Sequence, residues 1–586
     1  MSRRREALYA ALAAGLSGVL GILVLRPWRG ALDVPYAYLG DANLYQTYIK
    51  DVLDHGWYWH NPNLGAPAGQ QLFDYPGVAG DTLNVLLMKF VGLFCSDAPV
   101  VMNLFFLAGF FLVGLTAYLV LRRLTLSRPT AIVCSALYAL LPYHFLRAEY
   151  HLFLAAYYAV PLGAYLVLAV LGGEPLFTRR EGGRGPLAFA SRRTLGTLGL
   201  CVVIGLASAT FYYSSFTIVL VVAAALLRAV VVRSARPLLE AGAVAAVLFV
   251  LTAAALAPSF VYWARHGTNQ QVAHRYSHES EVYGLKFAQL VLPIEQHRIG
   301  KLAELRQNYD RWSPRTEATT NVALGVVASA GLIWLLALSL LQLASPGWRI
   351  AGDLEGRAGL VALGALLLAW TGGAATFIAV VEPQIRAWNR LSIFIGFFAL
   401  LGVGLLLDRA LAALRPRRLG ATLAALLLGA VLTIGVLDQT SNGFVPDYDA
   451  AAADYRSDDN FVRSIERRLP DGAMVFQLPY VPFPENPPVF KMYDYDELRG
   501  YLHSDDLRWS YGVVRGRSED RNGVLAAEPV PQLVSDVAAA GFSGIYVDRF
   551  GYTDGAAQLE RELAAAVGAP PLVSENDRLS FFKLSR

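Results

Sequence analysis

The chain has 586 residues, 55% of them hydrophobic and only 16% charged, with a formal net charge of +4 and a mean hydropathy of +0.41. This balance excludes an ordinary soluble globular protein, and so small a net charge gives no nucleic-acid signature. Cys95, Cys134 and Cys201 form neither a disulfide framework nor a metal-ligand spacing; the last two fall in apolar windows, where inert packing is expected.

Windows of about 20 apolar residues, enough to cross roughly 30 Å of hydrocarbon, recur along the chain. In order they run Ala7 to Leu25, Val100 to Leu121, Thr130 to Phe145, Leu152 to Leu171, Leu195 to Thr210 and Phe216 to Val232. Ala241 to Trp263, Asn321 to Ala344, Ala358 to Val380, Leu391 to Leu407 and Ala421 to Leu437 follow. These about 11 spans predict a polytopic all-α membrane domain over residues 1–437. Arg3 to Arg5 before the first window also resemble a secretory signal, but no A-x-A site precedes Arg26-Pro27-Trp28, which predicts a retained span.

Arg and Lys in short loops are retained on the cytoplasmic side. Basic clusters occur at Arg3 to Arg5; Arg122, Arg123 and Arg128; Arg179, Arg180, Arg184, Arg192 and Arg193; Arg228, Arg233 and Arg236; Arg349 and Arg357; and Arg409 to Arg418. They fall on alternate connections, whereas the turns around Tyr212 and Glu382 carry few. The N-terminus is therefore expected inside and the C-terminus outside.

Three long segments are then expected outside: residues 26–99, 265–320 and 438–586. Loops of this length beside membrane helices are usually functional. In the first, Leu44, Tyr48, Val52 and Leu53 recur at helical spacing and predict an amphipathic helix on the membrane surface, with Trp57, Tyr58 and Trp59 at headgroup level. Asp41, between Gly40 and Ala42, suits a general base or the cap of a helix starting at Ala42. Asp74 and Asp81, among Pro76, Gly77 and Gly80, suit metal or acceptor binding, or Asx turns and caps. Asp51 and Asp54 belong to the expected solvated face of the helix.

The turn LPYHFLRAEYHLF crowds His144, Arg147, Glu149 and His151 at the end of a span, where ionisable groups are costly and functional candidates by default. Glu149 suits a second carboxylate and the histidines a metal or phosphate, with snorkelling the alternative, chiefly for Arg147. In the second loop, His274, His278, Glu279 and Glu281 are dense without an H-E-x-x-H pattern, and a solvated loop is expected. Arg386 and Arg390 sit at an expected outer span end against the charge bias; each suits either a forked phosphate contact or a headgroup anchor.

The tail changes character. Val475 to Leu478 and Gly544 to Val547 read as buried strands, and Asp459 to Leu469 and Val530 to Ala540 as helices, the latter stopped by Gly541. The alternation predicts a small α/β domain over residues 438–586. It has no phosphate loop, nucleophile elbow or Cys/His cluster, which makes it an accessory or acceptor-binding domain.

The first span, the loop opening on Gly40-Asp41, its surface helices, the many further spans and the soluble tail resemble the GT-C superfamily of integral-membrane glycosyltransferases. GDANLYQTYIKDVLDHGWYWHNPNLGAP and LPYHFLRAEYHLF look closer still to bacterial cell-envelope glycosyltransferases. The resemblance implies a bacterial cytoplasmic (inner) membrane enzyme. It would move a sugar from a polyprenyl-phosphate donor to an envelope glycan, lipid or protein acceptor, amid membrane lipids. It makes Asp41 catalytic, with Glu149 as the positional choice for a second carboxylate, and reaction with inversion. Asp74, His144, His151, Arg386, Arg390, Trp57, Tyr58 and Trp59 are the substrate-binding candidates. The acidic pair of some branches is absent, because Asn43 stands two residues after Asp41, so a divalent metal stays unassigned. Rival classes are a transporter or flippase of lipid-linked saccharides, which predicts repeated halves with broken helices, and a noncatalytic envelope scaffold.

Overall fold

The computed structural model describes residues 3–179, 191–272, 274–314, 322–344 and 353–584. Arg180, Arg184, Arg349, Thr320, Asn321 and Arg586, named among the expected clusters and boundaries, lie outside these residues. The first membrane helices are α1 (Arg3–Leu25), then, after α2 (Asp41–Asp54) and α3 (Thr82–Gly92) of the first loop, α4 (Ala98–Arg123) and α5 (Arg128–Ala139). α6 (Val160–Gly172), α7 (Arg192–Leu206), α8 (Tyr212–Val232) and α9 (Arg236–Ala255) follow. After the second loop come α10 (Gly325–Ala344), α11 (Asp353–Ala369), α12 (Ser392–Leu414) and α13 (Gly420–Gln439).

Among the described residues, 9 helical stretches are long and apolar enough to cross a membrane, and the chain is an integral membrane protein. Two of the expected spans fall short of that length: α7 has 15 residues and α11 has 17. Small residues let the helices approach, as is usual where lipid removes the hydrophobic drive between them. A Cβ on Gly331 of α10 would collide with the backbone carbonyl of Ala399 on α12. Gly331→Val is therefore expected to cost about 1–3 kcal/mol by overpacking, read as a lower unfolding midpoint in detergent.

One end of the bundle is basic and tied by ion pairs. Glu6 receives Arg122 at 2.9 Å and Arg128 at 2.8 Å, and Glu355 receives Arg409 at 2.6 Å. The opposite end carries the first loop, the second loop, the α11–α12 connection and the C-terminal region, and is called the loop end below.

The C-terminal region contains α14 (Tyr448–Glu466), β1 (Met474–Leu478), β2 (Arg508–Trp509), α15 (Val530–Ala539), β3 (Phe542–Asp548), α16 (Ala557–Val567), β4 (Leu572–Val573) and β5 (Leu579–Lys583). The sheet order is β2-β1-β3-β5-β4, with β2, β1 and β3 parallel and the other two pairings antiparallel. The fold class expected from sequence, helical spans plus an α/β region, is the one observed.

The first loop departs from expectation because this α/β region closes over it. Gly65 and Ala66 donate backbone N–H groups to the carbonyls of Tyr511 and Trp509, and Trp509 donates to Asn63. Both flanks of α2 are covered, so it is no membrane-surface helix. Asn43, Gln46, Thr47 and Asp51 are buried, and burial pushes the Asp51 carboxyl up to about 8. Asp54 is the exposed one, paired with Lys50 at 2.9 Å. The expected headgroup anchors pack against protein, with Trp57 and Trp59 half-buried. Trp59 stacks on Phe73, which stacks on Tyr262, Tyr58 is buried, and Lys89 lies over Trp57.

Candidate active site

The loop end encloses a cavity of about 1100 Å³. α2 supplies Asp41, Tyr45 and Tyr48 to its wall, and the turn before α6 supplies His151. Residues 209–212 between α7 and α8 form another side. Thr252 and Leu256, at the loop end of α9, line it as well; the apolar window of α9 is only 17% buried, so this wall borders the bilayer.

Asp41 owes its position to the glycine before it. Gly40 is the N-cap of α2 with φ 56° and ψ −138°, a conformation open to glycine and costly for other residues. The helix starts at Asp41 itself, rather than at Ala42 with Asp41 as its cap. The carboxylate points into the cavity, 43% exposed, with Oδ2 3.6 Å from Nε2 of His151. That distance is beyond hydrogen-bond reach.

Three arginines line the same cavity. Arg390, on the short turn Trp388–Leu391, lies 4.0 Å over the Tyr212 ring, and its Nε is buried with no hydrogen-bond partner. Arg386 donates to Glu279 at 3.2 Å and lies over Tyr283. Arg275 makes a fork to Glu485 at 2.9 and 2.6 Å. Burial alone would raise the Glu485 carboxyl, but that fork outweighs it and holds the group below its ordinary range. A further cavity carboxylate, Asp494, comes like Glu485 from the C-terminal region. Burial pushes its carboxyl up to about 7, against the N–H of Asn486 and with the Asp41 charge adding to the rise.

Of the residues singled out in the sequence, the structure brings Asp41, His151, Arg386 and Arg390 to this cavity. Glu149 is corrected: fully buried away from it, it accepts the Ala37 N–H at 2.9 Å and so shapes the first loop. His144 is an inner packing residue, stacked on Phe110 at 3.7 Å with Nδ1 3.0 Å from the Ala139 carbonyl. Arg147 does not snorkel; it is buried and lies over Tyr143. Asp74 is a clamp, receiving Arg517 at 2.6 and 2.7 Å and the Trp263 indole at 2.9 Å. Trp57, Tyr58 and Trp59 face none of the cavity, because their row packs on Phe73 and Lys89.

Arg275, Glu485 and Asp494 escape a reading of the sequence. They lie in unremarkable polar stretches, and the pairing that gives them a role joins segments about 200 residues apart. The alternating aromatic and acidic stretch YDYDE, Tyr493 to Glu497, which contains Asp494, is the one local cue. Among the described residues no three His, Cys, Asp or Glu side chains converge.

No protein-family model matches the sequence, and a search of curated proteins finds no match. Solved structures similar in fold include the archaeal oligosaccharyltransferase AglB from Archaeoglobus fulgidus, in complex with an inhibitory peptide and a dolichol-phosphate. Identity is 12% and the TM-score 0.47, over 94% of this chain and 70% of that one. ArnT from Cupriavidus metallidurans bound to undecaprenyl phosphate is similar at 12% identity and a TM-score of 0.49, over 100% of this chain and 98% of that one.

Proposed function

We propose that the chain is a glycosyltransferase moving a sugar from a polyprenyl-phosphate donor to a cell-envelope acceptor, on the outer face of a bacterial cytoplasmic membrane. The observation that carries this is one cavity, bordered by lipid at α9, holding Asp41 at a helix start and the unpaired Nε of Arg390. A lipid chain reaches such a cavity from the bilayer, and its phosphate meets the arginine side. Asp41 takes the proton of the acceptor hydroxyl or amine as that atom attacks the anomeric carbon. The bond to the lipid phosphate breaks with inversion, and Arg390 stabilises the charge that develops on the leaving oxygen.

The test is transfer in proteoliposomes carrying polyprenyl-phosphate sugars, with release of lipid phosphate as the readout. Arg390→Ala is expected to weaken polyprenyl-phosphate binding about 10- to 100-fold, from about 1.5–3 kcal/mol for hydrogen bonds to a charged group. Movement of a labelled lipid-linked saccharide across the bilayer without release of its sugar would instead favour the flippase.

A further inference from the structure

The turn between α7 and α8 is held in an improbable backbone conformation. Ala209, Thr210 and Phe211 have φ of 48°, 56° and 70°, and a left-handed run without glycine, including a β-branched and a bulky residue, persists only where its surroundings enforce it. What enforces it is Asp81 of the first loop, which is fully buried. Its Oδ1 accepts the N–H of Ala209 at 2.9 Å and its Oδ2 that of Thr210 at 2.7 Å, successive amides converging on one anion. Asn84 donates a third bond at 2.9 Å. The flanking backbone closes the joint: Ser208 donates to the Gly80 carbonyl at 3.0 Å, and the Thr210 hydroxyl to that of Gly77 at 2.9 Å. A Cβ on Gly80 would meet the Phe211 nitrogen at 2.7 Å, so the two segments fit only because that residue is glycine.

Asp81 itself does not line the cavity, but residues 209–212 do, and Tyr212 is the ring beneath the Arg390 guanidinium. We infer that Asp81 is a positioning residue for the phosphate side of the cavity: by fixing the 208–211 turn it places Tyr212, and through Tyr212 the cation that meets the lipid phosphate. This rests on the donor reading given above. It also assigns the turn a purpose, since an ordinary helix connection could join α7 to α8 without strain.

The test places 3-fluorotyrosine at position 212 of the full-length protein in nanodiscs, with a fluorine spectrum and undecaprenyl phosphate binding as separate readouts. Asp81→Asn keeps the side chain's size but turns an amino group toward a backbone N–H. It is expected to shift the fluorine resonance and to weaken binding about tenfold while the unfolding midpoint still reports a folded protein. Asn84→Ala, which removes one donor and leaves the carboxylate, is expected to do the same to a smaller extent and covers the case in which Asp81→Asn does not fold. An unchanged fluorine resonance in the folded variants overturns the inference, as does a shifted resonance with unaltered binding. Failure of the unsubstituted protein to bind undecaprenyl phosphate overturns the donor reading instead, and the fluorine result still decides whether Asp81 places Tyr212.

Discussion

Asp41→Asn is expected to lower transfer from a polyprenyl-phosphate sugar by about 10²–10⁴-fold, the range of a general base, while donor binding and the unfolding midpoint stay close to those of the original protein. The side chain is 43% exposed to the cavity, so the amide replaces the carboxylate without opening a void. Gly40 still sets the start of α2, and Arg390 still lines the cavity. What is lost is an oxygen able to accept the acceptor's proton. Single-turnover release of lipid phosphate, measured beside equilibrium binding of the lipid, separates the chemical step from binding. Equal rates for the two proteins would remove Asp41 from the mechanism and leave Asp494 as the carboxylate to examine.

Arg578→Ala is expected to have the largest effect on stability, about 3–5 kcal/mol, as when one partner of a buried ion pair is removed. Arg578 bonds Asp496 at 2.8 Å and Asp548 at 2.6 Å, with side chains 6%, 1% and 2% exposed. The alanine would strand two carboxylates away from water. The network continues from Asp496 to Arg499 at 3.3 Å and on to Asp458 at 3.0 Å. Arg499 also donates to the Tyr38 carbonyl at 2.9 Å, so the loss reaches the first loop two residues before Gly40. Arg463→Ala is the control, because its pair with Asp459 is 50% and 32% exposed and worth about 0.3–0.5 kcal/mol. Thermal unfolding in detergent measures both; a midpoint for Arg578→Ala no lower than that for Arg463→Ala would contradict the argument.

The membrane half was legible in the sequence because lipid imposes one rule on every helix it surrounds. Apolar length marked the spans, and the arginines marked the end on which Glu6 and Glu355 now hold them. The β-strands at Val475 and Gly544 were legible as short apolar runs. The polar residues of the first loop were misplaced for a single reason: their surroundings come from the far end of the chain. Asp51 and Asp74 look like surface residues beside a membrane, and become interior ones when the C-terminal region lands on them. Asp41 and Arg390 survived that change because each sits next to a helix start and faces inward whichever segment covers the loop. Nothing near Asp494 or Glu485 announces that they share a cavity with Asp41, since that proximity is a product of the tertiary fold.

Two ion pairs to the C-terminal region, Arg517 on Asp74 and, in the cavity wall, Arg275 on Glu485, bear on how the protein comes into being. Each joins an early segment to one made near the end of synthesis, and the wall holding Asp494 is made late as well. While the last part of the chain is still being made, the helices can already stand in the bilayer, but α2 has water on the flank that carries Asp51. Only when the C-terminal region folds does that flank lose its water and the cavity gain its last wall. An unfinished chain in the membrane therefore holds Asp41 before its cavity is closed, and on the function proposed, competence for transfer arrives with the final segment.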